Sequence, residues 1–120
     1  VSVPLRAEYV SIVRLTASGI ANSVGFDFDT IEDIKVAISE VLSKIIEKQL
    51  SGGPVTIDFK SVGDGISMDF KLADQNIPDL FDSDDDSFAV AIIRSLMDEV
   101  DFHKNDRTVM TMTKKLGKAV

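Results

Sequence analysis

The chain has 120 residues, no cysteine and a formal net charge of −7. That length suits one domain, residues 1–120, around one core. The acidic balance argues against nucleic acid as a partner, the lack of cysteine excludes disulfides and thiolate metal sites, and apolar runs broken by charge exclude a transmembrane span.

Val1 to Arg6 alternates apolar and polar residues as far as Pro4, which predicts a short edge strand. These first residues carry no basic stretch ahead of an apolar one, so no signal peptide is expected and a cytoplasmic location is. Ala7 to Val24 reads as a helix. Val10, Val13, Ala17 and Ile20 fall at helical spacing, Ile12 and Leu15 widen the stripe, and Gly25 suits the residue past the end. A second helix runs from Thr30 to about Leu50, with Thr30 and Asp33 approximating a capping box. Its stripe of Ile31, Ile34, Ile38, Val41 and Ile45 is strictly helical, and the Gly-Gly-Pro that ends at Pro54 stops it. Phe26 and Phe28 flank the inter-helix turn as expected core staples.

Two alternating segments follow, Val55 to Ser61 and Ile66 to Leu72, joined by a Gly-Asp-Gly turn that predicts a hairpin. Asp74 to Asp86 reads as a loop. Ser87 to Val100 reads as a third helix, with Phe88, Ile92 and Leu96 on one line and Ala89, Ile93 and Met97 beside it. Thr108 to Thr113 is a final strand. The order β-α-α-β-β-α-β predicts an α+β two-layer sandwich, with a mixed, mostly antiparallel sheet and helices on one face.

Five blocks, taken in order, carry a resemblance: Tyr9 to Gly19, Gly25 to Asp27, Ile31 to Glu40, Leu96 to Val100 and Met112 to Leu116. Together they resemble bacterial anti-sigma factors that are also serine protein kinases. These belong to the histidine-kinase-like ATPase superfamily, with a Bergerat-type nucleotide fold. The resemblance implies a protein that binds a sigma factor and keeps it from RNA polymerase. An anti-anti-sigma protein competes for it, and phosphorylation of that competitor from ATP and magnesium blocks the competition. The resemblance also implies a homodimer; a scaffold that pairs with a related kinase as a heterodimer is a separate alternative.

Carried over residue by residue, the family's catalytic glutamate falls on Glu40, and the asparagine that holds magnesium falls on Lys44. Lysine has donors and no lone pair, and it repels a cation. One turn apart, Glu40 and Lys44 are expected to pair. The bland reading is an ordinary helix-surface ion pair. The resemblance makes it a lost metal site, with a direct lysine–phosphate contact as the minority view. The family's second motif, Asp-x-Gly-x-Gly, is similar to Asp74-Gln75-Asn76 with two residues missing. Asp74 then stands for the aspartate that recognises adenine, and Asn76 for the first glycine. The third, a glycine-rich lid at a helix N-terminus, falls on the stretch from Asp86 to Ala89, including Ser87, where no glycine remains. Aspartates precede it, and either Asp86 or Ser87 is expected to cap the helix. Alternate aspartates from Asp82 suggest a calcium loop, but Ile93 stands where the bidentate glutamate is needed, so no metal is expected.

The resemblance also suggests that Arg14 contacts the sigma factor or its competitor; alternatively it is an exposed helix arginine. His103 is the lone histidine and reads as a surface side chain. The reading expected overall is an anti-sigma-factor-like binding protein that has lost Mg-ATP use, with no cofactor. The alternative is an active serine protein kinase acting on an anti-anti-sigma protein.

Overall fold

The computed structural model describes residues 1–48, 52–73, 86–103 and 107–116. Asp74, Asn76 and most of the acidic run therefore lie outside the described residues.

The elements are β1 (Ser2–Val3), a 3-10 turn (Ala7–Tyr9), α1 (Val10–Val24), α2 (Phe28–Glu47), β2 (Val55–Val62), β3 (Gly65–Leu72), α3 (Ser87–Leu96), β4 (Glu99–Phe102) and β5 (Thr108–Lys115). The strands form one sheet in the order β1-β2-β3-β5-β4. Every pairing among the described strands is antiparallel, so the expected mixed sheet is wholly antiparallel here.

The pleat sorts the side chains. Val55 and Ile57 on β2, Met68, Phe70 and Leu72 on β3, and Met110 and Met112 on β5 are buried on one face. α1 and α2 cover that face, and α3 packs beside α2. Within α2, Ile31, Ile34, Ala37, Ile38, Val41, Leu42 and Ile45 are all buried. Burying each large aliphatic side chain contributes roughly 2 kcal/mol, so packing rather than helix propensity holds α2 in place.

Helix ends show where local chemistry decides. Asp27 caps α2 by accepting from the Thr30 amide at 2.8 Å, which displaces the expected start at Thr30 by one turn. Both residues are cap formers, and the earlier one lets Ile31 reach the core. α1 ends at Gly25, whose φ of 110° needs a residue without a Cβ. Phe26 is buried as expected, whereas Phe28 is 74% exposed and staples nothing.

The third helix is shorter than its periodicity suggests. It stops at Leu96; Met97 is extended and Glu99–Phe102 becomes an edge strand on β5. The Lys114 ammonium donates to the Leu96 carbonyl at 2.7 Å and closes the helix end. The expected buried line is also rotated. Ala89, Ile93 and Met97 face the core, and Phe88 is exposed. Ile12 and Leu15, expected to widen the stripe of α1, are exposed too.

Candidate functional site

Glu40 and Lys44 lie at successive turns of α2, the helix whose opposite side is anchored in the core, and Lys48 follows one turn on as its C-cap residue. Lys44 does not pair with Glu40. Its ammonium lies 3.3 Å from the Glu47 carboxylate and 3.4 Å from Oδ1 of Asp86. The Lys48 ammonium donates to Oδ2 of the same Asp86. Among the described residues Glu40 has no cationic partner; it is half-buried. The local i,i+4 pairing loses because Asp86, at the start of α3, is 1% exposed. A carboxylate removed from water needs opposite charge far more than an exposed one does.

Asp86 occupies the N-cap position of α3, yet its side chain makes no capping hydrogen bond. Its oxygens are turned to the two lysines instead, which corrects the expectation that it caps the helix. Ser87 is the first residue of α3, so it is not the cap either. The Lys44 ammonium is held above its ordinary pKa, chiefly by the hydrogen bond to Glu47. Burial opposes this, and Asp86 adds to it. Lys44 therefore stays charged near neutral pH, and its contribution to stability is lost only as pH rises through that raised value.

This arrangement does not fit a magnesium ion at Lys44. The side chain offers no lone pair, and its positive charge already has two carboxylates.

Arg14 sits on α1 in a different setting. Its Nε is buried and has no hydrogen-bond partner among the described residues. It lines an open pocket of about 200 Å³ with Ser11, Leu15, Ser18 and Lys35. Leu15 is 75% exposed beside it, and Lys35 pairs with Glu32 at 3.0 Å.

The sheet face away from the helices is polar and internally paired. Lys71 binds Asp58 at 2.6 Å, Lys60 binds Asp69 at 3.0 Å, and the Thr111 hydroxyl donates to Asp69 at 2.7 Å. The ring of His103 meets the Thr111 hydroxyl at 2.9 Å, which bears out a surface role for that histidine.

Three carboxyls are held below their ordinary range. Hydrogen bonding to Lys71 does this for Asp58, against burial. Burial raises Asp69, but hydrogen bonds from Thr111 and Lys60 outweigh it. Thr30 lowers Asp27. Each folded value lies below the unfolded one, so the stabilisation is complete above the unfolded carboxylate pKa of about 4 and is lost as pH falls through the folded values. The melting temperature should hold steady from pH 7 to about pH 5 and fall below about pH 4. Circular dichroism melts of Asp58→Asn and Asp69→Asn should show a shallower fall than the parent.

Sequence reasoning singled out Lys44 and Asp86 separately, but not their pairing, and it did not single out Glu47. Lys48 lies one turn beyond it, a spacing visible in the sequence. The pairing with Asp86 depends on how α3 packs against α2. Among the described residues no helix is long and apolar enough to cross a membrane.

Residues 3–114 match the histidine kinase-like ATPase domain family. The chain is 32% identical to the serine-protein kinase RsbW of Bacillus cereus (strain B4264), over 93% of this chain and 81% of that protein. It is 32% identical to RsbW of Bacillus subtilis (strain 168), over 96% and 83%. It is 30% identical to RsbW of Halalkalibacterium halodurans, over 96% and 81%. With a match over nearly its whole length and an antiparallel sheet layered under helices, this chain belongs to the histidine kinase-like ATPase domain family and is related there to serine-protein kinases.

Proposed function

We propose that this protein is an anti-sigma-factor-like regulator, which binds a sigma factor or an anti-anti-sigma protein and no longer uses Mg-ATP. The observation that carries the second half is the Lys44 ammonium, set between Glu47 and Asp86 on the helix that bears Glu40. In this reading Glu40 is the vestige of a catalytic base, and Lys44 has replaced the metal-binding asparagine. Asp74, Asn76 and Ser87 are the remnants of adenine-recognition and phosphate-lid positions. The protein works in the cytoplasm, as a homodimer or beside a related kinase.

Partner binding is assigned to the surface around Arg14. A buried Nε without an acceptor is a donor that an incoming carboxylate can satisfy, and the exposed Leu15 supplies apolar contact beside it. Arg14→Ala should weaken binding to the cognate sigma factor or anti-anti-sigma protein about tenfold, near 1.4 kcal/mol. Surface plasmon resonance with both partners reads this directly. Equal affinity of variant and parent for both would remove Arg14 from the interface.

A second reading, an active serine protein kinase, is favoured by the half-buried Glu40, which no described cation occupies. The names of the relatives favour it as well. It expects phosphate transfer from ATP to a serine of the anti-anti-sigma protein, abolished by Glu40→Gln.

A further inference from the structure

The pocket between α1 and α2 has a chemistry of its own. It measures about 200 Å³, and Ser11, Arg14, Leu15, Ser18 and Lys35 line it. Sites for drug-sized ligands run to roughly 300–1,000 Å³, so this one suits a smaller molecule. Two of these side chains are cations and two are hydroxyls, and none is a carboxylate. Lys35 donates to Glu32 at 3.0 Å, which engages one of its ammonium hydrogens. The buried Nε of Arg14 has no acceptor among the described residues. In a chain of net charge −7, this pocket is therefore a positive, donor-rich spot. Such a lining repels metal ions and favours an anion with several acceptor oxygens. The planar fork of an arginine matches a carboxylate. Leu15, 75% exposed, gives the pocket an apolar wall. A bare inorganic anion leaves that wall wet, and a short aliphatic stem covers it.

We infer that this pocket binds a free short-chain carboxylate, about the size of butyrate, and that the bound acid keeps the protein partner off. The carboxylate accepts from the Arg14 guanidinium and the Lys35 ammonium, and the stem lies on Leu15. Nothing covalent changes. The exclusion of the partner rests on the assignment of partner binding to the surface around Arg14; occupancy of the pocket does not. The acid adds a small-molecule regulator to that surface, which releases the partner as the acid accumulates.

The test is a nuclear magnetic resonance titration of the isotope-labelled full chain with butyrate at constant ionic strength. This reads both weak binding and its place. Butyrate should shift the amides of Ser11 to Ser18 and of Lys35, with a Kd in the low millimolar range. Butyramide, which has the shape without the charge, should bind at least about tenfold more weakly, and so should inorganic phosphate. Arg14→Gln and Lys35→Gln should each weaken butyrate by a similar factor. The butyramide and phosphate comparisons use the parent chain, so they decide even where a variant fails to fold. Butyramide or phosphate binding as well as butyrate overturns the inference. Shifts away from α1 and α2, or butyrate binding unchanged in both variants, do the same.

Surface plasmon resonance tests the exclusion. Butyrate at about ten times its Kd should weaken partner binding about tenfold. Butyrate held in the pocket with partner affinity unchanged overturns the exclusion and counts against Arg14 as a partner contact. Partner binding lost in Arg14→Ala while butyrate shifts nothing overturns the inference and leaves the partner reading in place.

Discussion

Gly65→Val should destabilise the protein by about 3 kcal/mol, at the upper end of what overpacking costs. Gly65 opens β3 opposite Lys115 of β5. A Cβ placed there meets the Lys114 carbonyl oxygen at 2.2 Å and the Lys115 Cα at 2.8 Å. Both obstacles are backbone, so no rotamer change relieves them and the strands must part. The ladder beyond is closed by the Leu116 amide donating to the Asp64 carbonyl at 2.8 Å, and that bond should be lost first. Urea unfolding reads the stability change, and the melting temperature should drop roughly 12 °C at about 4 °C per kcal/mol. Parent-like stability would mean that the two strands lie farther apart than described.

Lys48→Met should cost about 2 kcal/mol, less than the roughly 3–5 kcal/mol of a fully broken buried pair because Lys44 remains. The substitution keeps the length and packing of the side chain and removes its charge. What it leaves beside Asp86, 1% exposed, is the ion pair with Lys44, which Lys44 shares with Glu47. Denaturant melts of parent and variant at pH 7 check this. Parent-like stability of the variant would show that the ion pair contributes nothing.

What was legible in the sequence was what repeats along it. Ile31, Ile34, Ile38, Val41 and Ile45 mark α2 by spacing alone, and all five are buried. The hairpin of β2 and β3 follows from two alternating runs around a glycine turn. The misreadings come from places where local pattern and tertiary partner disagree. Phe88, Ile92, Leu96 and Val100 recur every four residues and so prolong a helix on paper. In the fold, Val100 lies opposite Met112, and the edge of β5 takes that stretch as a strand. Phe28 and Phe88 look like core residues by type, yet both lie on the outer side of their helices.

The candidate site divides in the same way. That Lys44 stands on one face of α2 with Glu40 could be read from the i,i+4 spacing. Its choice of Glu47 and Asp86 could not, because Asp86 comes from another helix, and its need for charge arises only on burial. The same holds for Arg14: its position on α1 was visible, while an Nε with no partner among the described residues depends on the neighbours that close over it.

The decisive measurement is calorimetric titration of the protein with ATP, once with magnesium and once with EDTA. On the proposed reading, in which Lys44, its ammonium set between two carboxylates, replaces a metal ligand, magnesium should confer no ATP affinity. Micromolar binding that appears with magnesium and vanishes with EDTA would contradict this and return the protein to the active kinases.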